Sequence, residues 1–320
     1  MNSFFVRKST LNIFKLILIT FFIVWISWHN TELYAKKTKV NIVILNTKDT
    51  GGYILCEKGI KDTIKKHLQH YEIRTVYLLN ENLTEIKKLI QQIKPNILFT
   101  VGTRASLFAV KQSISCPVIS TFIIDRTAKL ITKKNIYKIS LDVPLEQRVK
   151  FLCKIMPSIN GAFISEKITK PTVINLPQHL CPSQKIQLTA FPLLNDSIEL
   201  TLKKLSKKIN AFFITPNPTI FSNREIVKYT LLWGLTNKIA VSGLSVGYVK
   251  NGALFAIEAD PYNLGVQAAI YGIKILNKKA VTKGILHPKK LKISINLKTA
   301  NRLRINIPQV ILNKADFIIK

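Results

Sequence analysis

The side chains able to do chemistry are mostly uncharged, and they recur at one kind of place. Asn46 and Thr47, Thr103 and Arg104, Thr121, Ser165, Asn217 and Ser245 each follow closely on a short apolar run. Hydroxyls, amides and a guanidinium in such turns can hydrogen-bond a small polar molecule. Where the turn leads into a helix, its free backbone N–H groups add a preference for anions. Capping the helix is the commoner use of Ser, Thr and Asn at these places. Thr103 and Arg104 follow Gly102 directly, so a hydroxyl, backbone donors and a guanidinium can converge there on a carboxylate.

Covalent, redox and metal chemistry find little footing. The chain has no G-x-G-x-x-G, no G-x-x-x-x-G-K-[ST] and no G-x-S-x-G, so dinucleotide, P-loop and α/β-hydrolase readings lose their usual supports. The 5 His are scattered; His67 and His70 lie three apart without a carboxylate or third His to complete a metal site. They read as a solvated helix face. Cys56, Cys116, Cys153 and Cys181 have no metal-ligand spacing and read as small core residues, with every disulfide pairing open to them in an oxidising compartment. The expectation is a protein that is not an enzyme and holds no cofactor or metal.

The elements that hold these turns alternate strictly. Apolar runs at 40–45, 73–79, 96–102 and 116–123 predict strands, and amphipathic stretches at 57–70, 83–93 and 104–112 predict helices between them. A basic connection, 126–138, leads to a second series, with helices at 144–156, 197–208 and 223–236 and strands at 161–165, 186–193, 210–216 and 238–243. Pro171, Pro177 and Pro182 make a long helix implausible over 168–184. A helix at 260–277 and a short tail of strand and helix follow. Uniformly apolar strands alternating with helices predict an α/β protein of two Rossmann-like lobes with parallel sheets.

Residues 1–35 have the three-part layout of an export signal: Arg7, Lys8 and Lys15, an apolar run at 16–28, and a polar stretch ending at Ala35. That run is shorter than the roughly 20 residues a spanning helix needs, which favours a cleaved signal peptide over a signal anchor. Leu33 is unusual before a cleavage point, so an uncleaved anchor is the alternative. No cysteine precedes Cys56, so a lipoprotein is not expected. The formal charge is +31, from 48 Lys+Arg against 17 Asp+Glu. It is Lys-dominated and spread along the chain, whereas recognition of phosphate and base edges favours Arg. With export, nucleic acid is not an expected partner. The excess reads as solvated surface, with peripheral contact to an anionic membrane as a salt-sensitive addition.

Residues 251–280, NGALFAIEADPYNLGVQAAIYGIKILNKKA, and 293–316, ISINLKTANRLRINIPQVILNKAD, closely resemble the carboxyl-terminal signature of the ABC-transporter substrate-binding proteins that include tryptophan- and tyrosine-type binders. VGTRAS at 101–106, SLDVPLEQRVKFLCKIMPS at 140–158 and TPNPTIFSN at 215–223 agree in order, so the resemblance covers essentially the whole mature chain. It implies a periplasmic-binding-protein type I fold, in which two lobes joined by three crossovers close over a small solute. Lobe 1 is expected at 38–124 plus 247–282 and lobe 2 at 125–246 plus 283–320. The family's ligand contacts carry over to Thr103, Thr121, Ser165, Asn217 and Ser245. The sequence departs from the family at Asn217, where many relatives have Asp, at FISEK (163–167), which lacks Tyr-Asn-Pro, and at the proline-rich 168–184. The resemblance implies a monomeric periplasmic receptor that captures a small solute, an aromatic or branched amino acid among the candidates, and delivers it to ABC permease membrane subunits. A membrane-anchored ligand sensor or interaction module of the same fold is the alternative.

Overall fold

The computed structural model describes residue 20 and residues 39–79, 82–182, 185–195 and 197–320. The expected export segment, 1–35, lies outside the described residues apart from Thr20. The chain divides into a small unit, 1–40 with 69–72, and a large unit, 41–68 with 73–320, which holds the second sheet and nearly all of the first. Among the described residues no helix is long and apolar enough to cross a membrane.

The first series of elements is β1 (Val40–Asn46), α1 (Gly52–His67), β2 (Tyr71–Tyr77), α2 (Leu83–Ile93), β3 (Ile97–Val101), α3 (Thr103–Lys111), β4 (Val118–Ile123), α4 (Asp125–Leu130) and β5 (Ile136–Ser140). The second is α5 (Leu145–Leu152), β6 (Ile159–Ser165), β7 (Thr172–Ile174), β8 (Ile186–Pro192), α6 (Ile198–Leu205), β9 (Ala211–Phe213), α7 (Pro218–Phe221), α8 (Arg224–Thr236), β10 (Ala240–Gly243), α9 (Val246–Lys250) and β11 (Phe255–Ala259). The chain ends in α10 (Pro261–Leu276), β12 (Ile285–Leu286), β13 (Leu291–Asn296), α11 (Leu297–Leu303), α12 (Gln309–Leu312) and β14 (Phe317–Ile319). The first sheet runs β12-β5-β4-β3-β1-β2 and the second β14-β13-β11-β10-β9-β6-β8-β7. The two-sheet α/β architecture expected from the alternation is therefore present.

The central strands are buried on both faces: Ile42 through Leu45 of β1 and all of β3 are buried, which is why their sequences show no polar alternation. Most pairings are parallel, but β7 pairs with β8 and β13 with β11 in antiparallel fashion. Asn82, Ser197, Asn223, Asp260 and Asn296 each accept a backbone N–H at a helix start, the capping use expected of such residues.

Three strands, β5, β11 and β12, lie in the other sheet from the one the expected ranges would give them. The basic connection contains α4 and β5, and β5 completes the first sheet. Lys138 hid it from the pattern: the side chain lies along the strand and its Nζ donates to Ile131 O at 3.0 Å, while Ile136 and Ile139 are buried. Residues 255–259 form β11 in the second sheet; α10 then returns to pack on α1, and β12 adds to β5 at the edge of the first sheet. The chain thus passes between sheets three times, after Ser140, at Asp260 and after Leu286.

The α1–α10 crossing is very close. A Cβ added at Gly265 would fall on the Cys56 carbonyl, and one at Gly59 on the Tyr262 carbonyl. In the second lobe Cys153, just past α5, forms a disulfide with Cys181, while Cys56 and Cys116 are free. The bond ties the proline-rich segment, whose described residues form β7 and a 3-10 turn at Gln178–Leu180, onto the core under α5.

Candidate functional site

A cavity of about 310 Å³ lies beside the first two connections between the sheets, at 141–143 and 259–261. Its apolar wall includes Phe122, Ile124, Leu141, Val143, Leu244 and Ile257, and its ionisable groups are Asp142, Arg148 and Glu258.

Phe122 owes its place to a bulge. Thr121 pairs with Ile139 and Ile123 with Ser140, so Phe122 is the extra residue in β4. Its φ is 58°, unusual for a bulky side chain and typical of bulges that re-aim a residue near a binding site. The ring meets Tyr53 edge-on, with centroids 4.8 Å apart.

Arg148 comes from the buried face of α5, with Leu145, Val149 and Leu152 at helical spacing around it. It is 3% exposed. Its Nε donates to Ser242 Oγ at 3.1 Å, Nη1 to Ile214 O at 2.7 Å, and Nη2 to Ser242 O at 2.8 Å, Ser242 Oγ at 2.8 Å and Gly243 O at 3.1 Å. The guanidinium also sits 5.6 Å from the Phe213 ring centroid. Burial pulls its pKa down to about 10. Asp142 lies in the first crossover, where Oδ2 accepts from Asp125 N at 2.7 Å; burial pushes its pKa up to about 6. Glu258, at the end of β11, takes Val246 N at 3.1 Å on Oε1, and burial raises its pKa. The N-terminus of α9 is therefore occupied by the protein's own carboxylate. Outside the cavity lining, Arg126 of α4 donates to Thr219 Oγ1 of α7 at 3.4 Å.

Of the residues singled out in the sequence, Ser245 lines this cavity. Thr103 is half-buried and its hydroxyl faces that of Thr127 at 3.4 Å. Thr47 is buried and pins the turn after β3, donating to Val101 O at 2.8 Å and accepting from Ala105 N at 3.2 Å. The turn needs Gly102, with φ of 95°, because a Cβ there would strike Tyr53 and Thr47. Asn46 is fully buried and donates to Glu57 Oε2 at 2.9 Å. Thr121 is buried with its hydroxyl against the Cys56 thiol, which burial holds at about 12. Asn217 caps α7 by accepting from Thr219 N at 3.0 Å, and Ser165 accepts from Lys167 N at 3.3 Å. Arg104 is not with them. It is exposed and lines an open groove between α2 and α3, so the convergence expected at the start of α3 does not form.

Three of the strand-end turns do reach the cavity, through Phe122, Pro216, Leu244 and Ser245. Sequence reasoning missed Asp142, Arg148 and Glu258. A signal existed for Arg148, a basic residue inside the apolar stripe 145, 149, 152. A roomier groove beside α10, about 390 Å³, carries only the exposed cations Lys274, Lys289 and Lys290 and holds no buried charge. Among the described residues no three His, Cys, Asp or Glu side chains are grouped to hold a metal.

The family model for the ABC transporter substrate binding protein matches residues 46–319. No curated protein is significantly similar. A ligand-free, open substrate binding protein with adhesive properties from Clostridium difficile is similar in structure at 16% identity, over 88% of this chain and 99% of that one, with TM-score 0.63. An ABC domain in complex with L-Trp from Streptococcus pneumonia matches at 20% identity over 88% and 100%, with TM-score 0.53. A conserved domain protein from Vibrio cholerae matches at 19% over 88% and 100%, with TM-score 0.52. At such identities these structures speak to the fold, which is that of the periplasmic binding proteins of type I.

Proposed function

Because the chain belongs to the ABC transporter substrate binding proteins, we propose that it is the exported receptor of an importer, capturing a small solute between its lobes and presenting it to the membrane permease. The observation that carries this reading is the cavity between the two sheets, walled by apolar side chains and supplied with a few buried polar and charged groups, as small-molecule sites are. Closure over the solute shifts an open–closed equilibrium by the difference in affinity of the two forms.

The solute is proposed to be an amino acid with an apolar side chain. The signature at 251–316 supports this, as does the L-Trp bound by the Streptococcus structure. A periplasmic location is supported by the layout of residues 1–35 and by the Cys153–Cys181 disulfide, which persists in an oxidising compartment.

Thermal melting of the full chain against amino acids, sugars and nucleosides tests the receptor role. At 100 times its Kd a true solute stabilises by about 2.7 kcal/mol, a shift of several degrees. A flat response across the panel overturns the receptor reading.

A further inference from the structure

Three ionisable side chains meet at the inter-lobe cavity, and the protein leaves their charge requirements incomplete. Arg148 has no ion pair within 4.0 Å among the described residues; the Asp142 carboxylate acts on it from farther off, without a hydrogen bond between the two. Its acceptors are carbonyls and one hydroxyl, which are neutral. A guanidinium has five N–H donors. Nε, one Nη1 hydrogen and both Nη2 hydrogens are engaged, so the second Nη1 hydrogen has no acceptor among the described residues. A buried charge left in this state is costly, and an anion entering the cavity relieves that cost.

The carboxylates are incomplete in the opposite sense. Asp142 gives one oxygen to Asp125 N and Glu258 one to Val246 N; the second oxygen of each has no hydrogen bond among the described residues. Glu258 also closes the N-terminus of α9 to an incoming anion, which leaves Arg148 as the cavity's anion-seeking group.

We propose that Arg148 is the carboxylate pole of the cleft and that Asp142 and Glu258 form its ammonium pole, so that the solute binds as a zwitterion with its apolar part against Phe122, Leu244 and Ile257. The assignment rests on the solute-receptor reading and adds which groups face the solute. The cavity, about 310 Å³, is at the small end for ligand sites and suits a molecule of amino-acid size.

The test uses the full-length wild-type protein and calorimetry. The L-amino acid that best stabilises the chain is compared with its decarboxylated amine and its deaminated acid. Each deletion is expected to weaken binding by about 10- to 150-fold, the worth of hydrogen bonds to a charged group. An amine that binds as well as the parent overturns the role of Arg148, and an acid that binds as well overturns the role of the two carboxylates. Stabilisation by a neutral sugar or nucleoside, and by no amino acid, sinks this proposal while the receptor reading stands. No response to any solute sinks both.

Arg148→Gln is expected to abolish the difference between parent and amine, and Arg148→Lys to keep part of it. The analogue series decides the matter even where these variants do not fold. Lowering the pH supplies a separate readout. Asp142, faced by Asp125 of α4, by His287 of the third crossover and by Arg148 of α5, titrates at about 6. Affinity for the parent therefore falls as pH drops through 6, while affinity for the deaminated acid does not. Parallel pH profiles for the two overturn the assignment of Asp142.

Discussion

In the first lobe Glu57 accepts from Asn46 at 2.9 Å, Tyr77 at 2.9 Å and Thr75 at 3.1 Å and pairs with Lys61, whereas in the second Arg148 is surrounded by neutral acceptors alone. The two groups lie in the same kind of strand-and-helix layer, with opposite outcomes. Burial pushes the Glu57 carboxyl up, but Lys61, Asn46 and Tyr77 outweigh it and hold the pKa below its ordinary value of 4.5. Burial and Glu57 together push Tyr77 up to about 12. This network closes around the Glu57 carboxylate, although Asn46 Oδ1 is buried without a partner, whereas Arg148 makes no ion pair among the described residues.

The contrast can be broken in order of expected effect. Removing the Cys153–Cys181 bond with Cys153→Ser and Cys181→Ser, 28 residues apart, costs about 3–4 kcal/mol by loop closure, read as a lower melting temperature. Hydrogen exchange should show the loss in the second lobe. Gly265→Ala drives a methyl into the Cys56 carbonyl and forces α1 and α10 apart, at about 3 kcal/mol by the same melt, with the loss now in the first lobe.

Glu57→Gln removes the charge at the centre of the closed network and costs about 1–3 kcal/mol at neutral pH. The pH dependence sharpens the comparison. Because the folded pKa of Glu57 is depressed, its stabilisation is complete above the ordinary carboxylate range and is lost as pH falls through and below it. Asp142 has the opposite sign: its pKa is raised from 3.8 to about 6, so its contribution is most favourable below 3.8 and declines as pH rises through 6. Denaturation between pH 3 and 7 should therefore flatten in opposite directions for Glu57→Gln and Asp142→Asn. The smallest effect belongs to Arg104→Ala, which removes an exposed side chain outside the cavity. Solute affinity is expected unchanged and stability within about 0.5 kcal/mol.

Much of this was legible along the chain because backbone periodicity is local. The buried runs announced β1, β3 and β4, and the prolines of 168–184 excluded the helix that is indeed missing there. The turns after β4, β9 and β10 reach the cavity, but which side chain of each turn faces it was not readable. After β4 the bulge sends Thr121 inward to Cys56 and Phe122 into the cleft, a choice made by the register with β5. Asn217 and Ser165 stay in their turns because their hydrogen bonds close within two residues.

The sequence by itself determined the alternation of elements, the capped helix starts and the family signature at 251–316, all of which depend on neighbouring residues or on a contiguous stretch. Tertiary structure alone decided that β5 joins the first sheet and β11 the second, that Cys153 takes Cys181, and that Arg148 reaches Ser242, 94 residues away. Such pairings are set by which apolar faces bury one another when helices pack on their sheets. The charge state of the cleft follows from them, because desolvation acts on Arg148 and Asp142 only once distant parts of the chain have closed around them.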